Sequence, residues 1–259
     1  VEILVLLKQV PDTESIIMID ADGQSIKTTD LKWIINPYDE LAVEEALRIK
    51  EAHGGKVTIV SVGTEKAVEA IRTALAMGAD EGLLISDPAL KGIDGLGTAQ
   101  ILATTVKQIP YDLIIAGMRA VDDDNFQVGT AVAELLEIPN VSMVIKQEIA
   151  DGKIKCQRTI EGGFEVIEAS LPALITTQRG LNEPRYASLP GIMKAKKKPL
   201  ETKTLADIGL DAAAGQSLVN IAAMQPPPER KGGRIIEGET AQEKAAELAR
   251  LLHEEAKVL

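Results

Sequence analysis

The sequence predicts an α/β protein: an open, mostly parallel, doubly wound sheet with antiparallel edge strands and an extended C-terminal arm. Three observations predict it. Apolar runs rich in Val, Ile and Leu alternate with helix-like stretches at roughly 25-residue spacing as far as Leu136. Four strand-like runs joined by tight turns follow, between Val141 and Thr177. The chain then loses periodicity before closing in an amphipathic helix. The expected division is a nucleotide-binding type of α/β domain over residues 1–184 and an arm over 185–259.

Val1-Glu2-Ile3-Leu4-Val5-Leu6-Leu7 is an unbroken apolar run, as expected of a strand covered on both faces. Ile16–Asp20 and Gln24–Lys27, flanking Ala21-Asp22-Gly23, read as a small hairpin. Asn36-Pro37-Tyr38-Asp39-Glu40 starts a helix: Asn36 suits the cap, Pro37 the first turn, and both acids the positive end of the dipole. Gly54-Gly55 ends it. Lys56–Val62 is a second strand, and a helix with Val68, Ile71 and Leu75 inward runs from Gly63-Thr64 to Gly78. Gly82–Ser86 is a third strand. Asp87–Gly97 reads as a loop, its glycines wrongly ordered for a dinucleotide fingerprint, with a helix from Thr98 to near Gln108. Asp112–Gly117 is a fourth strand, followed by a helix over Ala131–Leu136.

If the first strand is central and the fourth lies beside it, the strand order reverses between them and a crevice opens at their carboxyl ends. Leu6, Leu7 and Lys8 would bound it on one side, with Val62 near by. The other wall would be Gly117, Met118, Arg119, Ala120, Val121, Asp122, Asp123, Asp124, Asn125, Phe126, Gln127, Val128, Gly129 and Thr130. The backbone N–H groups of Gln127 to Thr130 are placed to meet an anion, and Thr130 adds a hydroxyl. The three adjacent carboxylates leave three roles open: capping the helix, holding a cation, or pointing away from a phosphate.

Val141–Ile149, Lys153–Arg158, Phe164–Ala169 and Ala173–Thr177 read as antiparallel additions to the sheet edge. In the segment Arg179–Lys198, Pro184 and Pro190 limit helix, and Leu181 reads as an exposed apolar residue in a polar loop. Lys194, Lys196, Lys197 and Lys198 form a basic run, either a solvated helix end or a docking site for an acidic partner. Pro226-Pro227-Pro228 excludes regular helix or central strand. Thr240-Ala241-Gln242-Glu243 is a capping box opening the last helix, and the whole segment suggests an arm lying on its own domain or on another chain.

Composition narrows the functional classes. A formal charge of −11 and six aromatic side chains (Trp 1, Tyr 3, Phe 2) disfavour nucleic acid and anionic membranes as partners. His53 and His253 are the only histidines, so a His-rich metal site or a Ser-His-Asp triad is not expected. One cysteine, Cys156, permits no intrachain disulfide and points to a reducing compartment. No apolar run has transmembrane length, so no direct membrane insertion is expected. The strand-like start gives no targeting segment, and a bacterial-type cytoplasmic location is the expectation.

Several stretches together resemble the electron transfer flavoprotein beta subunit family. They are Lys8–Asp12, Asn36–Ala46, Arg72–Asp80, Val121–Gly129, Leu181–Pro190, and the signature Arg158-x-x-Glu161-Gly162-Gly163-x-Glu165-x-Ile167 with Pro172-x-Leu174-Ile175-Thr176. Cys156 stands where that signature usually has a small or aliphatic residue. The resemblance implies an electron carrier without substrate turnover of its own. It implies a heterodimer with an alpha subunit that holds most of an interfacial FAD, and a structural AMP in this chain. Electrons would pass from acyl-CoA dehydrogenases or similar flavoenzymes to a membrane quinone oxidoreductase. The implied AMP site is the crevice above, with Leu6, Asn36, Val62 and Gly117 to Thr130. Val128 replaces a commoner threonine, which removes a hydroxyl but leaves backbone contacts. Leu181, Asn182, Glu183, Pro184, Arg185 and Tyr186 resemble the loop that anchors to dehydrogenases, with Leu181 as its apolar plug, and the lysines beside it resemble methylatable lysines.

Two alternatives stand beside this reading. One is a bifurcating relative with a second FAD in the crevice. Asp123, where such relatives tend to have glycine, and Asn182–Tyr186 favour AMP. The other is a nucleotide-hydrolysing or adenylating enzyme of the same fold. It would be expected to carry a Gly/Ser-rich loop after the first strand, where this chain has Lys8-Gln9-Val10-Pro11-Asp12.

Overall fold

A computed structural model describes residues 1–228 and 232–258. The first half runs β1 (Glu2–Leu6), β2 (Gln9–Pro11), β3 (Trp33–Ile35), α1 (Pro37–His53), β4 (Lys56–Val62), α2 (Val68–Met77), β5 (Glu81–Ile85), α3 (Gly95–Val106), β6 (Leu113–Gly117) and α4 (Val128–Leu136). The second half runs β7 (Asn140–Ala150), β8 (Lys153–Ile160), β9 (Gly163–Ser170), β10 (Ala173–Thr177), α5 (Leu189–Ala195), β11 (Leu200–Lys203) and α6 (Ala241–Glu254). The main sheet has the order β11-β5-β4-β1-β6-β10-β7-β8-β9, and β2 pairs with β3 in a small antiparallel sheet.

The strand β1 lies between β4 and β6 and is parallel to both. Its alternating side chains serve both faces. Ile3 and Val5 pack with α1 and α2 in one core, while Leu4 and Leu6 pack with α3 and α4 in the other. This double burial produces the unbroken apolar run that identifies the strand in the sequence. Cys156 faces the first core, fully buried, and packs as a small apolar residue. Burial, with the Glu45 charge adding to it, pushes its thiol up to about 12.

Several sequence expectations need correction. Ala173–Thr177 is not an antiparallel edge strand: β10 is inserted between β6 and β7, parallel to both and wholly buried. Its neighbours on the chain are antiparallel strands, but its pairing is non-local. β7, β8 and β9 do form the antiparallel edge. On the opposite edge β11 pairs in parallel with β5, although residues 200–238 carry little periodicity. The body therefore takes in residues beyond 184, and α5 and β11 pack onto it before the chain becomes irregular. Helix α3 begins at Gly95, not Thr98, because the Asp94 carboxylate accepts the Gly97 N–H at 2.8 Å and caps it. The expected hairpin forms around one antiparallel bridge, Ile19 to Ile26, with the Asp20 N–H donating to the Ser25 carbonyl and the Lys27 N–H to the Met18 carbonyl, both at 2.8 Å. The capping box of α6 forms as expected. No described helix is long and apolar enough to cross a membrane.

Candidate functional site

At the carboxyl end of the sheet, β1 has β4 on one side and β6 on the other, and the strand order reverses there. A cavity of about 1060 Å³ opens at this point. Leu6, Asn36, Val62, Gly117, Met118, Arg119, Ala120, Asp123, Asn125, Phe126, Gln127, Val128 and Gly129 line it. Val121, Asp122, Asp124 and Thr130 do not. Thr130 instead turns its hydroxyl to Asn140, whose Nδ2 donates to it at 3.3 Å. The reason is helical phase: the N–H groups of α4's first turn point along its axis, whereas its side chains radiate away from it.

Two helix N-termini, those of α3 and α4, border the crevice at Gly95 and Val128. They differ in their caps. Asp94 caps α3, whereas α4 has no side-chain cap. Its first-turn donors lack intrahelical partners and carry the positive end of the dipole. Gly129 lets α4 come close to the sheet, since a Cβ there would lie 3.1 Å from Thr176 Cγ2.

The acidic triplet does not cap α4; it divides. Lys8 Nζ donates to Asp122 Oδ1 at 2.8 Å and to Asp123 Oδ2 at 3.0 Å. Burial opposes the Lys8 charge, but these two carboxylates outweigh it and hold the ammonium above its ordinary value. Asp124 pairs with Arg119. That guanidinium stands between two rings, 5.1 Å from the centroid of Tyr38 and 5.4 Å from that of Phe126. Asp124 and Phe126 both have φ of 55°, in the left-handed region that non-glycine residues rarely adopt. The loop after β6 is thus a strained turn tied to β1 by Lys8 and stiffened by Arg119.

Asn36 occupies the cap position of α1 but makes no side-chain cap bond. It is completely buried and bridges to the loop after β6 instead. Its Nδ2 donates to the Arg119 carbonyl at 2.8 Å, and its Oδ1 accepts the Val121 N–H at 3.2 Å. Sequence reasoning missed Asp39 as a site residue by assigning it only to the helix dipole. Asp39 lines the crevice, and its carboxylate accepts the Lys8 N–H at 2.7 Å and the Gly117 N–H at 3.0 Å. The available signal was its place two residues after a proline at the start of a helix following a strand end.

The loop from Leu181 to Tyr186 also departs from expectation. Leu181 is half-buried against the first core, so it is not an exposed plug. Asn182 is buried and donates to the Leu41 carbonyl at 3.0 Å and to Glu45 at 2.8 Å. Arg185 clamps Glu44, with Nε to Oε2 at 2.8 Å, and also reaches Glu51. Burial works against the Glu44 charge, and Arg185 outweighs it, holding that carboxyl below its ordinary value. Glu183 is exposed and Pro184 half-buried. The exposed apolar surface lies further along, at Tyr186 (98% exposed), Leu189 (81%) and Met193 (64%). Lys194, Lys196 and Lys197 are exposed beside it. Lys198 is not part of that free row: its Nζ donates to the carbonyls of Leu75 and Ala79 at the end of α2.

A parallel α/β sheet with a crevice at its order reversal, faced by an uncapped helix N-terminus, defines a nucleotide-binding class of fold. The family model described as electron transfer flavoprotein domain matches residues 25–208. The electron transfer flavoprotein subunit beta of Bacillus subtilis (strain 168) is 45% identical over 258 residues, covering 99% of each chain. Its namesake from Mus musculus is 39% identical over 248 residues, 95% of each chain. The caffeyl-CoA reductase-Etf complex subunit CarD of Acetobacterium woodii is 40% identical over 257 residues, 97% of this chain and 98% of its own. The chain belongs to the electron transfer flavoprotein beta subunit family. Its family function is that of an electron transfer subunit, with an alpha subunit as partner and with flavin and nucleotide association.

Proposed function

We propose that this chain holds an AMP in the crevice and pairs with an alpha subunit that carries most of a shared FAD. The heterodimer takes electrons from acyl-CoA dehydrogenases or similar flavoenzymes and delivers them to a membrane quinone oxidoreductase. The observation that carries the nucleotide reading is the uncapped N-terminus of α4 at the crevice wall, beside an α3 terminus that Asp94 already caps. The N–H groups of Val128 and Gly129 are the anion donors in this reading, and Asn36 and Lys8 hold the loop that carries them. FAD, when bound at the interface, supplies the electron-carrying chemistry. In this reading helix α6 (Ala241–Glu254) is the part of the arm that lies on the alpha subunit, while Leu218 and Val219 stay bound to Asp94.

A second reading, with FAD in place of AMP, has one observation in its favour. A cavity of about 1060 Å³ is larger than a mononucleotide needs. Against it stands Asp123 on the cavity wall, a carboxylate paired with Lys8 at the position where relatives with a second FAD tend to have glycine. Denaturing the purified heterodimer and identifying the released nucleotides tests both: one AMP and one FAD are expected, and two FAD without AMP would refute the first reading. Thr130→Val is expected to leave AMP affinity within about twofold of wild type, because its hydroxyl is turned to Asn140. A tenfold loss by calorimetry would mean that the hydroxyl reaches the ligand.

The dehydrogenase surface in this reading is the ridge of Tyr186, Leu189 and Met193 with the lysines beside it. Leu189→Ala is expected to slow reduction by the dehydrogenase about tenfold, the scale of a buried apolar anchor, with flavin content unchanged. Stopped-flow reduction kinetics measure this, and unchanged rates would remove the ridge from the interface.

A further inference from the structure

We propose that Asp39 is a positioning residue of the crevice, one that fixes the gap between β1 and β6 and takes up a proton when an anionic nucleotide binds. The proposal rests on the nucleotide reading above. Its ground is the geometry at the order reversal. Where two parallel strands diverge, the N–H groups at their ends have no strand partner and face the crevice. Lys8 and Gly117 supply those donors here, and Asp39 takes both, at 2.7 and 3.0 Å. The side chain is only 5% exposed, and Gly117 leaves it room: a Cβ there would lie 2.3 Å from Asp39 Oδ1. The chain thus fills the base of its own anion site with a carboxylate, which leaves the N-terminus of α4 as the place for a phosphate.

The surrounding charges decide the proton linkage. Lys8 stands at the end of β1, and Arg119 and Asp123 stand on the loop after β6. Glu65 and Lys66 follow β4, while Asp87, Lys91 and Asp94 follow β5. On its own helix the neighbour is Glu40. The crevice walls other than Asp39 therefore carry four cations and four anions, and an arriving phosphate is the unbalanced charge. Burial pushes the Asp39 carboxyl up to about 7, against the pull of the Lys8 and Gly117 N–H groups, the Asn36 side chain and the Lys8 charge. A carboxyl poised there accepts a proton when negative charge enters the same cavity. Protonation weakens one of its two N–H bonds and removes the repulsion, so nucleotide and proton bind together.

The test uses the nucleotide-stripped complex with its co-purified alpha subunit, titrated calorimetrically with AMP at pH 6, 7 and 8 in two buffers of different protonation enthalpy. Between pH 6 and 8 the wild type is expected to lose about fivefold more affinity than Asp39→Asn, with extra proton uptake on binding. The phosphate's own titration is common to both proteins and cancels. Without nucleotide, the raised carboxyl contributes stability that is complete below its ordinary value of 3.8 and lost as pH rises to about 7. Wild type should therefore lose more thermal stability than Asp39→Asn across that window. Equal pH slopes in the two proteins, with AMP bound, would overturn the linkage and leave the nucleotide reading intact. Failure of the wild type to bind AMP at any pH would overturn both. If Asp39→Asn does not fold, the wild type alone decides with adenosine 5′-sulfate, whose charge is constant over this range. Weaker binding as pH rises supports the proposal, and pH-independent affinity overturns it.

Discussion

Gly117→Ala is expected to lower the melting temperature by roughly 6 to 12 °C and to empty the crevice of nucleotide. A Cβ at this position would lie 2.3 Å from Asp39 Oδ1, 2.8 Å from Tyr38 Cβ and 3.0 Å from the Tyr38 backbone carbon. The two Tyr38 atoms belong to the helix start and cannot swing aside, and Asp39 Oδ1, though it ends its side chain, is fixed in place. Asp39 is held by two N–H donors, and Tyr38 is at the start of a helix buried along most of its length. The strain must move either α1 or the end of β6. Either movement breaks the Gly117 N–H bond to Asp39 and displaces the loop that Asn36 carries. Overpacking of about 2 kcal/mol and a lost buried hydrogen bond of about 1 kcal/mol make the total close to 3 kcal/mol. Thermal unfolding and nucleotide analysis of the purified variant check both parts. A variant that melts within a degree of wild type would show that the end of β6 is softer than its burial implies.

Arg185→Ala is expected to cost about 2 kcal/mol and to free the loop from Leu181 to Ser188. Glu44 is 4% exposed and would keep only Arg48 and the backbone N–H of residue 185 as donors. The Glu51 pair is exposed on the carboxylate side and contributes little. The pH dependence separates this cause from a general loss of packing. The folded protein holds the Glu44 carboxyl below its ordinary value of 4.5. Its contribution is therefore present above that value and lost as pH falls through the lower folded one. Wild type should shed this stability in acid, and Arg185→Ala should have less of it to shed, so the two denaturation curves converge toward pH 4. Faster amide exchange at 181–188 at neutral pH should accompany the change. Curves that stay parallel down to pH 4 would show that the ion pair is not the source of the loss.

Much of this fold is legible in the sequence because the central strands are covered on both faces. Residues such as Ile3, Leu4, Ile114 and Ile115 must all be apolar, and a run of that kind marks its strand without any tertiary information. The place of β6 beside β1 followed from the rule that order reverses at a ligand crevice. What was not legible depends on partners distant in the chain. β10 looks like an edge strand because its neighbours in sequence are antiparallel, yet it pairs with β6, about sixty residues earlier. Asn36 has every local mark of a cap, but its hydrogen bonds go to residues 119 and 121. Leu181 and Leu189 are both leucines near prolines, and only packing decides that the first is half-buried and the second exposed. Asp39 escaped for a related reason: its two donors come from the ends of two different strands.

Asp94 carries one more consequence. One of its oxygens caps α3 through the Gly97 N–H, and the other accepts the N–H groups of Leu218 (2.7 Å) and Val219 (3.2 Å). The N–H groups of Gly97 and Leu218, together with smaller contributions, hold its charge below the ordinary carboxylate range. A single side chain is thus shared between the wall of the crevice and the irregular segment that leaves the sheet. Lifting that segment deprives the carboxylate of two donors and weakens its hold on the helix end it caps. A contact that keeps the segment in place therefore also keeps Asp94 on the end of α3.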